Sequence, residues 1–448
     1  MTKVLFETLR AWKIKLNELP DLFVKLFGVI GNLLQHNKKE DLLTLGEKLK
    51  FNKRNHSIND IGHVEIVTPE WAHCMTTFFD LDPISPNKRF LCVTKVPFIN
   101  RIPVPGDIAQ VCIIDLVETT IFAVHNTSGW GAQLGSNVQW LDDEHVICND
   151  LIDGKDVSIK VNIQNLQTTK FNKPIYGLSP CRKFSYSPNL FLVNAILPGY
   201  GMPEGFTQVL RQKERLSDTE GIWQLDLDTG NTSLFMSIKD ILNSIDCEKD
   251  FLLGKNYIFN VKVSDSGKFL FAVIFAKEVP FRAGRVLQLV VVEIKTKKVV
   301  VVVPDELWRK GGHHPSWVKG KDAILMNLKL DNEELKFVEI DIESLKYEVK
   351  SPTLKGGGHP SFSPNGKLIL TDAYTSEGFM DENGEVPIRL IKPNNDEEVE
   401  LCRIFTNKMS GARRVDPHPV WSDNNHIVFN GVSNHKRMVF LAKLDNSL

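Results

Sequence analysis

Three histidines in this chain head a recurring 14-residue block. They are His314 in HPSWVKGKDAILMN (314–327), His359 in HPSFSPNGKLILTD (359–372) and His418 in HPVWSDNNHIVFNG (418–431). Imidazole is the commonest metal-ligating side chain, and three converging ring nitrogens with open positions suit Mn, Zn or Fe. Beside the third histidine, ARRVDPHPVW (412–421) supplies Arg413, Arg414 and Asp416. Asp416 and His418 are two residues apart, so along a strand they share a face. A carboxylate and an imidazole on one face favour a divalent cation, and an arginine there can clamp an anionic substrate through two parallel hydrogen bonds. Asp372 and Tyr374 follow the second histidine block and are weaker candidates, Tyr374 for substrate contact. A single histidine in such a place is more simply a polar side chain bonded to ordered water. Three in one register weigh evenly against that reading.

The elements that must bring residues 314, 359 and 418 together are legible in the repeat. Four further copies are LDPISPNKRFLCVT (81–94), NVQWLDDEHVICND (137–150), KFSYSPNLFLVNA (183–195) and NVKVSDSGKFLFAV (260–273). Each reads as a short strand, a tight polar turn and an apolar strand. A second hairpin signal follows every copy, as in VCIIDLVETTIFAV (111–124) and FVEIDIESLKYEVK (337–350). Period-two alternation bounded by Asn, Asp, Gly and Ser is the mark of strands and hairpins. Seven four-stranded units predict an all-β fold, a seven-bladed β-propeller over residues 59–448. The last unit lacks its fourth strand, and GHVEIVT (62–68) is the expected replacement. Supplied from the N-terminal side, it closes the ring and removes two raw sheet edges.

The first position of each block defines a ring: Leu81, Asn137, Lys183, Asn260, His314, His359 and His418. Six of the seven are polar, which predicts that this register faces the channel. Asn137 then joins Arg413, Arg414 and Tyr374 as a candidate substrate contact. The glycine-, proline- and charge-rich stretch 197–221 reads as a long loop on one face, either functional or a tolerated insertion.

Composition excludes some classes. Lys+Arg total 54 against 55 Asp+Glu, so bulk charge gives no support to nucleic-acid binding. Seven scattered cysteines without a pairing motif point to a reduced compartment. No apolar run is long enough to span a bilayer. GGGHP (356–360) lacks the phosphate-binding loop pattern, and there is no GxSxG nucleophile elbow. Residues 1–58 differ from the rest. They carry helical periodicity, and residues 1–54 hold eleven Lys+Arg against six Asp+Glu. This predicts a short α-helical N-terminal extension that caps the propeller or makes a peripheral membrane or protein contact. The expected location is cytoplasmic, with attachment at a membrane face as the variant.

The HPSW and DPHPVW…VFNGVSNHKRMVFLAKL segments resemble the oligogalacturonate lyases, most sharply over the last three blades. The resemblance implies a propeller that cleaves galacturonate oligomers by β-elimination with a manganese-type divalent metal in the channel. It implies His314 and His418 as metal ligands, with Asp416 where the family has the first histidine of His-Pro-His and Arg413 where it has glutamine. The family's catalytic base histidine falls on Asn260, which cannot abstract a proton. Lys183 and His359 hold equivalent ring positions and are the candidate substitutes, and His359 is also a candidate ligand. The chemistry is coherent: the uronate carboxylate must be neutralised, the C5 proton removed and the leaving oxygen stabilised. The alternative is a non-catalytic propeller that binds a glycan or a protein, since propellers host many functions.

Overall fold

The repeat has a local physical cause in its turn. In four blades a serine closes the hairpin between the first two strands with its backbone and its hydroxyl together. Ser85, Ser179, Ser264 and Ser363 each donate N–H to the carbonyl five residues on. Their Oγ atoms accept from the amides of Phe90, Phe184, Phe269 and Leu368 at 2.9–3.1 Å. The aromatic before this turn has a second task. Trp140, Trp317 and Trp421 donate their indole N–H to Pro83 O, Lys262 O and Ser361 O, each in the preceding blade. The block therefore encodes both a hairpin and the joint between neighbouring sheets.

The computed structural model describes residues 42–203, 215–246, 248–280, 284–331, 334–393, 395–407 and 409–445. They form seven antiparallel sheets, each one blade of a β-propeller. Blades 1 to 6 begin, at the channel, with His73–Met75, Gln139–Trp140, Gly177–Leu178, Lys255–Val263, Gly312–Trp317 and Ser361–Phe362. Blade 7 runs from Val420–Trp421 through His426–Ser433 and Lys436–Leu444 to Gly62–Ile66. The expected closing strand is thus in place, with registers from Gly62↔Leu444 to Ile66↔Phe440. Gly62 passes so close that an added Cβ would meet Lys443 O at 2.4 Å. Val64 is fully buried and Ile66 nearly so. Apolar residues of adjacent blades pack together, as Leu390 and Ile404 of blade 6 with Phe429 and Phe440 of blade 7, and within blade 7 those two rings stack at 5.3 Å.

Two expectations need correction. The propeller does not start at residue 59: Leu49–Lys50 pairs with blade 1 and Arg54–Asn59 with Gly62–Ile66. The predicted helical extension over 1–58 is therefore wrong for residues 42–58, and its remainder, 1–41, lies outside the described residues. The second correction concerns blade 3. There, Leu190–Ile196 is a helix, with Asn189 Oδ1 accepting from the amides of Phe191 and Leu192. The apolar run FLV had been read as a strand, an ambiguity that short apolar runs always carry. The true repeat in this blade is IYGLSPCRKFSY (175–186), which puts Ile175, not Lys183, in the ring register. Among the described residues no helix is long and apolar enough to cross a membrane, and the six described cysteines are free thiols.

The closing sheet carries a measurable load. Phe440→Ala removes a ring that is 1% exposed, so it should cost about 3–5 kcal/mol in urea unfolding. A loss below about 1 kcal/mol would mean that the ring is not held shut through this sheet.

Candidate metal and acid-base site

The inner strands of blades 5, 6 and 7 deliver the three histidines to one place. His314 and His418 sit in left-handed backbone at φ 56° and 47°, as do Asn137 at 54° and Asn260 at 56°. This shared conformation turns the ring side chains inward just before each strand regularises; blades 4 and 5 show the accompanying register shift. In blade 6 the left-handed residue is Gly358, at φ 61°, and His359 follows it. The ring centroids of His314 and His359 lie 4.0 Å apart, and those of His359 and His418 4.4 Å apart. Phe78 and Phe79, which follow the inner strand of blade 1, pack against all three: Phe78 4.8 Å from His418, and Phe79 5.2 Å from His359 and 5.9 Å from His314. Phe79 also lines a funnel of about 300 Å³ whose walls include Asp80, Lys262, Trp317 and Trp421.

Hydrogen bonds fix what each imidazole presents. The His359 amide donates to Asp372 Oδ1 at 2.7 Å, and Nδ1 lies 2.9 and 3.0 Å from the two carboxylate oxygens. His314 Nδ1 lies 2.8 Å from Gly358 O and 2.7 Å from His313 Nδ1. In both rings a proton therefore sits on Nδ1, which leaves Nε2 as the atom turned to the site. Both Nε2 atoms approach one hydroxyl, Tyr374 Oη, at 3.1 and 3.2 Å. One phenolic proton cannot fully serve two ring nitrogens, so the trio is short of partners. His418 deepens the deficit: it is fully buried and neither ring nitrogen has a hydrogen-bond partner. Leaving such groups unmet costs about 1–3 kcal/mol each.

Electrostatics keep His313, His314 and His418 neutral. Burial, then the neighbouring His359, pushes His314 and His418 well below 6.5. Burial and His359 likewise take His313 down to about 4. Burial works against charge on Asp372, but the contact with His359 and the surrounding hydrogen bonds outweigh it and hold the carboxyl below the usual range. Burial, then Asp416, raises Tyr374 well above 10, so the phenol keeps its proton.

The carboxylate next to the third histidine is also in place. Asp416 Oδ2 lies 3.9 Å from His418 Nε2, and donor atoms of His359, Asp416 and His418 all fall within 4.8 Å of one another. Two imidazoles plus a buried carboxylate form a donor set that suits Mn, Zn or Fe. Asp372 behind His359 is the outer-sphere carboxylate that such ligands commonly use. Arg414 opposes full donation, because its Nε bonds Asp416 Oδ1 and Oδ2 at 2.7 and 2.8 Å. Its guanidinium also bonds Tyr200 Oη at 2.9 Å and lies 5.1 Å from the Tyr374 ring centroid.

Other expected site residues fall elsewhere. Lys183 is 63% exposed beside Asp228 in the blade 3 turn and cannot act as a channel base. Asn137 bonds Ile175 O at 2.8 Å and serves to join two blades. Asn260 is in the ring and buried, with Oδ1 unpartnered. Arg413 is exposed at the end of the turn Gly411–Arg413. Leu81 packs against the apolar core. Tyr374, the weak candidate, proves central. Sequence reasoning did not name Tyr200, Arg437, Phe78 or Phe79. Tyr200 was findable only as part of the long loop 197–221, of which 204–214 lies outside the described residues.

Proton linkage gives a test of the neutral rings. Below about pH 6.5 the unfolded histidines bind protons that the native His313, His314 and His418 refuse, so stability is full above that pH and falls towards pH 4. Asp372, also held below its ordinary value, acts in the same direction, and its contribution is lost at still lower pH, as the carboxylate range is crossed. The urea midpoint should therefore decline from pH 6.5 to about 4, and His418→Asn should flatten part of that slope. A midpoint independent of pH across this window would contradict the neutral assignment.

No protein-family model matches the sequence, and no curated protein does. Solved structures do match. One is an oligogalacturonate lyase in complex with manganese, with TM-score 0.64, 14% identity, 90% of this chain and 99% of that chain covered. Another is the oligogalacturonate lyase of Vibrio parahaemolyticus, with TM-score 0.64, 12% identity and 90% and 100% coverage. A weaker match is TolB from Acinetobacter baumannii, with TM-score 0.38, 11% identity and 77% and 78% coverage. In fold, this chain is a seven-bladed β-propeller similar over nearly its whole described length to the oligogalacturonate lyases.

Proposed function

We propose that the chain is a divalent-metal-dependent lyase that cleaves a uronate-containing oligosaccharide by β-elimination. The observation that carries this reading is the convergence of three imidazoles, a carboxylate and a phenol in one buried cluster whose polar atoms are not all paired. His359, Asp416 and His418 hold the cation, and Asp372 orients His359 from behind. A divalent ion bound there would draw charge from the substrate carboxylate and acidify the adjacent carbon.

The chain's own residues then divide the proton work. The proton next to the uronate carboxylate must leave, and the glycosidic oxygen at the β carbon must be expelled. His314 takes the proton: its Nδ1 is tied to Gly358 O, so Nε2 is the accepting atom. Tyr374, whose burial keeps its hydroxyl protonated, returns a proton to the departing oxygen. Arg414 neutralises Asp416 and stiffens Tyr374 through the ring contact. Asn260 has no basic atom to offer, so the role of base moves from blade 4 to blade 5.

One observation favours a second reading, a non-catalytic propeller that binds a glycan: His359 and His418 are fully buried, so a substrate meets them only after the channel mouth opens.

Elemental analysis of untagged protein separates the two. The lyase reading expects about one equivalent of Mn, Zn or Fe, lost in the His359→Ala/His418→Ala variant. Tyr374→Phe should retain the metal and slow elimination by about 10²–10⁴-fold, followed by the ultraviolet absorbance of the unsaturated uronate product. Absence of both bound metal and new absorbance, across metals and acidic oligosaccharides, would leave the binding reading.

A further inference from the structure

Three arginines of this chain meet a carboxylate through the edge formed by Nε–H and one Nη2–H. Arg389 grips Glu398 so, at 2.8 and 2.7 Å. Arg403 grips Glu400 at 3.0 and 2.9 Å, and Arg89 turns the same edge to Asp115 at 3.1 and 2.7 Å. Arg437, the second residue of the strand Lys436–Leu444, presents the same edge with nothing on it. Its Nη1 donates to Ala132 O at 2.8 Å, whereas Nε and Nη2 are buried without a hydrogen-bond partner. The residue is 3% exposed.

A buried guanidinium with half its donors unmet is expensive, and burial lowers the pKa of Arg437 to about 10 although Asp416 and Tyr200 oppose the shift. Neighbouring charge does not resolve it. Asp416 is already held by Arg414, so two guanidiniums face one carboxylate and one positive charge is left over. Arg437 and Arg414 also both disfavour charge on His418, which places this surplus beside the histidines. A cavity of about 10 Å³, lined by Arg437, Arg414, Ala132, Trp130 and the exposed turn Gly411–Arg413, adjoins the group. It has room for about one water, so a carboxylate would have to displace that turn to enter.

We propose that the Nε/Nη2 edge of Arg437 is a carboxylate-binding site, one that fixes a uronate ring by its acid group beside the three histidines. The proposal deepens the acidic-substrate reading above and rests on it for the choice of sugar, but it requires neither metal nor turnover. Carboxylate matches the planar fork and supplies the single negative charge that the surroundings lack. An uncharged sugar supplies neither.

The test is calorimetric titration of chelator-treated protein with galacturonate, and with galactose as its uncharged counterpart. Wild type should bind galacturonate at least about tenfold more tightly than galactose. Arg437→Lys, which keeps the charge and loses the fork, should weaken galacturonate binding by about tenfold or more. Equal affinity for the two sugars, no galacturonate binding, or wild-type affinity in a folded Arg437→Lys protein would overturn the proposal. Should the variant not fold, a crystal structure of wild type grown with galacturonate decides. Carboxylate on the fork supports the site; a water only, or sugar bound elsewhere, refutes it. Fork binding without any elimination activity would sink the lyase reading alone. Elimination with unchanged kcat and KM in Arg437→Lys would sink this one alone.

Discussion

Everything in this molecule hangs on one pairing, Gly62–Ile66 against Lys436–Leu444. Without it the seven sheets form an open array with two unpaired edges. With it they must share an axis, and their first strands must converge on that axis. His314, His359 and His418 stand 45 and 59 residues apart in the chain, yet closure leaves their rings about 4 Å apart. The backbone helps at the last step, because the left-handed ring residues turn side chains inward that an extended strand would lay against the next blade.

Convergence has an electrostatic consequence. A narrow, largely dry channel cannot hold several imidazolium ions, so His314 and His418 give up their charge. Each histidine needs a definite partner for its Nδ1, which Asp372 and Gly358 O provide for two of them. The remaining Nε2 atoms share one phenol, and neither nitrogen of His418 has a partner. A buried polar network left partly unsatisfied is costly, and its persistence here is the physical argument for a site.

The likeness to the oligogalacturonate lyases concerns the frame, and the donors are this chain's own. Asp416 stands where the resemblance implied histidine, Arg414 restrains it, and His359 enters from blade 6 with a carboxylate behind it. Asn260 vacates the expected base position while Tyr374 and His314 form a hydrogen-bonded pair near the other rings. A propeller tolerates such relocation because each blade offers the same ring position to the same axis, so a role lost in one blade can pass to another without changing the fold.

The sequence by itself determined the blade count, the Ser-Pro turns, the closing strand and the register of His314, His359 and His418. These are local or periodic properties: turn chemistry and alternation repeat wherever the same backbone is built. It misplaced Lys183 because an apolar run of three residues reads alike as strand or helix, and it missed the strands before residue 59 because two short edge strands carry no periodicity of their own. Only the tertiary structure decided that Tyr374 stands between two imidazoles, that Tyr200 reaches Arg414 from the long loop, and that Arg437 is buried with its fork empty. Those facts depend on distances between segments far apart in the chain, and on which donors have already spent their hydrogen bonds.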